Sequence, residues 1–182
     1  EKEITTKLNK SLLVMAWYTE GFTTIERMRR FSMLAAVFEE RVRLAIREKL
    51  GASYSPYVYH SSSRFIDDFG FIKARMIIAP EKINVVRETV AAICKKLLLN
   101  GVHEEELHRV KEPLLTALGD QIETNGYWLR VLRNSSTFKE QLSWPSTIVS
   151  DHASVSAEEL SQLARKYLRP ELITTAIIRP KR

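Results

Sequence analysis

Arg47 and Tyr54 stand seven residues apart in the stretch Glu39 to Tyr59, EERVRLAIREKLGASYSPYVY. Gly51 lies between them, where a long helical pattern stops and a tyrosine-rich strand pattern starts. A guanidinium fork can grip a peptide carbonyl or a carboxylate, and a tyrosine hydroxyl can donate to an oxygen that gains negative charge during reaction. A strand edge beside them could also pair with an extended peptide. The same residue types have an ordinary reading. Arginine in the last turn suits the negative end of a helix, and tyrosine suits a strand. Spacing alone leaves both readings open.

Other chemistry finds less support. HEEELH at 103–108 looks like a zinc motif, but both H-E-x-x-H and H-x-x-E-H need a histidine at 107, where Leu107 stands. His103 and His108 project from different sides of a helix, so no metal site is expected here. Three glutamates in a first turn are the normal complement to a helix N-terminus. Cys94 is the single cysteine, which excludes an internal disulfide and cysteine-rich zinc sites. It falls within an apolar helical pattern and is expected to be a small buried hydrophobe. No G-x-S-x-G elbow occurs, and the six glycines are too scattered for a phosphate loop. The aromatics Tyr57, Tyr59, Phe65, Phe69 and Phe71 lie near Arg64, Lys73 and Arg75, as a base-stacking platform would require. Hairpins favour aromatics in any case. The net charge of +6 is interleaved with acids, which indicates a solvated surface and no nucleic-acid partner. No apolar run approaches the roughly 20 residues of a membrane-crossing helix, so no membrane association is expected. Compartment is not readable: the bacterial periplasm and the cytoplasm are both open.

The elements that must position these residues follow from periodicity. Residues 1–10 read as a lead-in or a weak strand from Ile4 to Leu8. Ser11 to Tyr18, SLLVMAWY, is a buried strand ending at Glu20-Gly21. Thr23 or Thr24 caps a long helix to about Leu50, with Ile25, Met28, Ser32, Ala35, Phe38, Val42 and Ala45 as its stripe and Gly51 as its C-cap. A β-hairpin follows, Tyr54–Ser62 and Phe69–Ala79, whose first arm Pro56 marks as an edge strand. Helices are expected from Pro80 to Asn100, from about His103 to Ile122 with a kink at Pro113, and from Tyr127 to about Leu142. Residues 145–155 read as loop. Ser156 and Glu159 form a capping box for a last helix, with Leu160, Leu163, Ala164 and Tyr167 inward, and Leu172–Ile178 is a closing strand. The order β-α-β-β-α-α-α-α-β gives an α+β fold, a two-layer sandwich of a mostly antiparallel sheet with helices on one face.

Read together, these residues resemble the pitrilysin/insulinase family of zinc metallopeptidases. The likeness spans nearly the whole chain: a strand, a long helix ending in R-E-K-x-G-x-x-Y, a hairpin, P-E-K-I with its helix, G-V-H-E-E-E-L-H-R-V-K, then S-A-E-E-L-S-Q-L-A-R-K-Y-L and a strand. It is to a zinc-free domain in the C-terminal half of such proteins. His103 stands where threonine or serine is commoner in the family.

The resemblance implies that residues 1–182 are a single inactive peptidase-like domain, a fragment of a longer multidomain chain. It implies that Arg47 and Tyr54 bind substrate backbone, with Tyr54 an auxiliary stabiliser of the tetrahedral intermediate. The zinc, its H-x-x-E-H motif and the base would belong to the parent protein, so no cofactor is expected in this chain and it alone should hydrolyse nothing. Its partners would be a peptide substrate and sister domains of the same parent. The alternative is a scaffold or assembly subunit of the same fold, outside peptidase activity.

Overall fold

The alternation in SLLVMAWYT sets the layering. In strand Ser11–Thr19, the second in the chain, Leu13, Met15 and Trp17 turn inward and are buried, while Leu12, Val14, Ala16 and Tyr18 turn the other way. A computed structural model describes residues 1–5, 9–50 and 56–181. Its strands are β1 (Lys2–Ile4), β2 (Ser11–Thr19), β3 (Tyr57–Ser62), β4 (Gly70–Ile78) and β5 (Thr174–Pro180). They form one sheet with the order β1-β5-β2-β4-β3. β2 pairs antiparallel with β4 and β5, β3 pairs antiparallel with β4, and β1 runs parallel to β5.

The helices are α1 (Ile25–Leu50), α2 (Ile83–Asn100), α3 (Glu104–Ile122), α4 (Asn125–Arg133), α5 (Trp144–Ser154) and α6 (Ala157–Tyr167). α1 lies against β3 and β4 and is itself flanked by α2, α3, α5 and α6. That central place widens its buried face beyond the expected stripe. Phe31, Leu34 and Val37 join Met28, Ala35, Phe38 and Val42 in the core, while Ser32 is exposed. The α+β sandwich with its mostly antiparallel sheet stands, and Pro56 does lead into an edge strand.

Three element assignments need correction. The N-terminal strand is Lys2–Ile4, earlier than Ile4–Leu8, and residues 6–8 lie outside the described part. The helix placed at Tyr127–Leu142 is α4, starting at Asn125 and ending at Arg133. Thr124 caps it by accepting the Tyr127 N–H at 3.2 Å, so Asn125-Gly126 is a first turn and no break. The end falls before Asn134-Ser135-Ser136-Thr137, where short polar side chains compete for backbone groups; Ser135 Oγ donates to Leu132 O at 2.9 Å. Residues 145–155, read as loop, lie mostly in α5. Pro145 occupies its first turn, where proline starts a helix and does not break one. α3 continues through Pro113.

Other punctuation held. Gly101 ends α2 with φ of 68°, and a Cβ there would meet Ser161 Oγ at 2.5 Å. Ser156 and Glu159 form their reciprocal cap at the start of α6.

Candidate functional site: the groove between α1 and the edge strand

The C-terminal half of α1 carries polar residues on the side that faces β3. Glu39, Glu40 and Arg43 sit there above the small residues Ser32, Ala35 and Ala36. β3 contributes Val58, Tyr59 and His60, and α3 closes the far side with Arg109, Val110 and Pro113. The groove so formed holds about 480 Å³.

Glu39, Glu40 and Arg43 each have a definite partner. Arg43 grips Glu40 with two bonds, Nε to Oε2 at 2.9 Å and an Nη to Oε1 at 2.7 Å. Glu39 Oε2 accepts the backbone N–H of Val58 at 2.7 Å. Burial raises the Glu39 pKa above the usual carboxylate range, and the Val58 N–H pulls part of the way back. His60 stacks face to face on Phe31, ring centroids 4.5 Å apart, and its Nε2 lies 3.2 Å from Thr19 Oγ1. Burial pushes its pKa down to about 4, with Glu20 opposing, so the ring is neutral at pH 7.

Arg47 is exposed one turn beyond Arg43 and makes no hydrogen bond or ion pair with any described residue. Helix geometry puts positions 36, 39, 40, 43 and 47 on one face, so Arg47 continues the row that lines the groove. Tyr54 and Gly51 lie outside the described residues.

The HEEELH segment opens α3 and is structural. Glu106 receives Arg41 through bonds of 3.0 and 2.6 Å and accepts the His103 N–H at 3.3 Å. His108 faces Glu112 on an exposed surface. Among the described residues no three His, Cys, Asp or Glu side chains gather as a metal site. Cys94 is fully buried, and burial pushes its thiol up to about 12, where it is inert.

The sequence reading missed Glu39 and His60. The signal for Glu39 was available, as Glu39-Glu40 interrupts the apolar face of α1 midway along its length. His60 gave none, because a strand histidine reads equally well on either face.

The family model described as the peptidase M16 inactive domain matches residues 1–114. The chain belongs to that family. Over 141 residues it is 26% identical to the chloroplastic stromal processing peptidase of Arabidopsis thaliana, covering 75% of this chain and 11% of that protein. A peptidase M16 inactive domain structure from Pseudomonas fluorescens superposes with a TM-score of 0.79 at 16% identity, over 100% of this chain and 43% of that one. The inactive peptidase domain of a Bordetella parapertussis protein superposes at 0.77 and 14% identity, over 98% of this chain and 95% of that one. At these identities the superpositions show the fold. This M16 inactive domain thus spans about a tenth of its plant relative and under half of the Pseudomonas chain.

Proposed function

We propose that this M16 inactive domain holds peptide for a larger zinc metalloendopeptidase, with Arg47 and Tyr54 as its contacts to the substrate backbone. The observation that carries this reading is the position of Arg47. It stands exposed at the end of the α1 row that lines the groove, inside the segment matched by the family model. An arginine so placed is available to bind a peptide carbonyl through its fork. Tyr54, seven residues on, supplies a hydroxyl donor to the carbonyl oxygen as negative charge develops on it.

Among the described residues no three His, Cys, Asp or Glu side chains gather as a metal site, and on this reading the zinc and the base that activates water belong to sister domains. The outer sheet face exposes Tyr18, Tyr57, Phe69 and Ile77 alongside Lys73 and Arg75, and sister domains rest on it. Residues 1–182 act as one domain in that assembly.

In the longer protein, Tyr54→Phe is expected to lower kcat for peptide hydrolysis by about a hundredfold, the effect of losing one oxyanion donor. Arg47→Ala is expected to act mainly through KM, as loss of binding shared by substrate and transition state does. Zinc content should be unchanged in both. Normal turnover by both variants would instead favour the scaffold reading.

A further inference from the structure

The spacing in α5 puts Trp144, Ile148 and His152 on one face of the helix. In α4 the same rule groups Tyr127, Arg130 and Val131. These two faces meet Ile25 and Arg29 of α1 around a cavity of about 290 Å³. That volume stands at the lower end of ordinary ligand sites, about 300–1,000 Å³.

Two polar atoms on its wall have no partner. Tyr127 and His152 are only 7% and 6% exposed. The Tyr127 hydroxyl makes no hydrogen bond with any described residue. His152 Nδ1 lies 2.7 Å from Ile148 O, and a carbonyl only accepts, so Nδ1 carries the proton. Burial lowers the His152 pKa, with the Ile148 carbonyl opposing, so at pH 7 the ring is neutral and Nε2 is a bare acceptor. Neither atom is sealed in the core, and the cavity is the space that both residues line.

The charge around the cavity is one-sided. Arg29 and Arg130 line it, and among the described residues no Asp or Glu does. Arg29 is taken up by Thr147, Asp151 and Trp144 O. Arg130 lies over the Tyr127 ring, 5.9 Å from its centroid, and pairs with no described carboxylate. Burial raises the Tyr127 pKa against the pull of both guanidiniums, so the hydroxyl keeps its proton at pH 7 and is a donor to an anion. Trp144, stacked on Phe22 with centroids 5.9 Å apart, supplies a held aromatic wall.

From this geometry we propose that the cavity between α1, α4 and α5 binds a small aromatic carboxylic acid that also carries a hydroxyl or N–H donor. The ring packs on Trp144, the carboxylate takes the Tyr127 hydroxyl and Arg130, and the donor meets His152 Nε2. The site draws on neither Arg47 nor β3, so it stands or falls apart from the peptide-holding reading.

The test titrates this 182-residue chain with the three hydroxybenzoate isomers, and with benzoate and phenol as partial ligands. Calorimetry measures affinity, and amide chemical shifts locate the ligand. At least one isomer is expected to bind with a Kd of about 0.1–1 mM, within reach of a ligand of about ten heavy atoms. Its shifts should centre on Tyr127, Val131, Ile148 and His152. Benzoate is expected to bind about fivefold more weakly, having lost one neutral hydrogen bond, and phenol about tenfold more weakly, having lost the charged one. Tyr127→Phe keeps the ring and is expected to weaken the best isomer by about tenfold with Tm unchanged. Arg130→Gln, at an exposed position, is expected to cost about threefold, an effect that fades at high salt.

Three outcomes would overturn the proposal: no saturation by any isomer up to about 10 mM, shifts confined to other elements, or parental affinity in Tyr127→Phe.

Discussion

Arg29 is a buried charged side chain, with 5% of its surface exposed. It donates to Thr147 Oγ1 and to Trp144 O, both at 2.8 Å, and pairs with Asp151, so a single arginine on α1 anchors α5. Removing one member of such a buried pair leaves an uncompensated charge, whereas removing both leaves none. Arg29→Met is expected to destabilise the fold by about 3 kcal/mol, and Asp151→Leu added to it to restore part of that loss. Urea unfolding of the single and double variants measures both values. Equal or greater loss in the double variant would contradict this account of the pair.

His60 makes a pH prediction with a defined sign. In the folded chain it stays neutral down to about pH 4, while in the unfolded chain it takes up a proton near its ordinary value of 6.5. Between those values the unfolded state holds more protons, so stability falls as pH drops from 6.5 toward 4. His152, also lowered by burial, acts in the same sense. Glu39 acts oppositely, because its raised pKa favours the folded state as acid protonates it. His60→Phe keeps a ring against Phe31 and is expected to flatten the slope, by on the order of 1–2 kcal/mol across that window. Urea midpoints taken at a series of pH values read it directly, and an unchanged slope would show that His60 does not set it.

At the scale of elements, the β2–β4 pairing depends on one close approach. Thr19 is paired with Gly70, where a Cβ would stand 2.2 Å from Glu20 O and 2.6 Å from Thr19 Oγ1. Backbone cannot yield as a flexible side chain does. Gly70→Ala is expected to cost about 2–3 kcal/mol through forced backbone movement, read as a lower urea midpoint. A neutral result would mean that the strand can shift without penalty.

Elements with one dominant period were legible from sequence. The alternation of Leu13, Met15 and Trp17 and that of Ile72, Ala74, Met76 and Ile78 gave the two long strands at the centre of the sheet. Gly101 and the Ser156–Glu159 box gave helix ends because each has a local physical cause. The segment 124–155 was misread where local signals conflict. Pro145 both starts and stops helices, and the anchor of α5 on Arg29 spans more than a hundred residues, which no local pattern records. The candidate site divides in the same way. Arg47 was legible as a helix-end charge beside a strand. The bond from Val58 to Glu39 depends on how the hairpin meets α1, and only tertiary packing sets that.

For the whole molecule, the two faces of the sheet behave differently. One shares the core with α1, α2 and α6, while Tyr18, Tyr57, Tyr59, Phe69 and Phe71 form a row of touching rings on the other, with Lys73 over Tyr59 and Phe71. An aromatic face of that kind suits a domain that works inside a larger protein. The chain belongs to the M16 inactive domain family and spans only part of the longer relatives it matches. Under the proposed function the chain would contribute grip and alignment, and the group that cuts would come from a neighbouring domain.

The most direct test of that division of labour is the steady-state kinetics of Tyr54→Phe and Arg47→Ala in the longer protein, with zinc content measured in the same samples. A fall of about a hundredfold in kcat is expected for the first and a raised KM for the second, with zinc retained. Turnover at the parental level in both would contradict it.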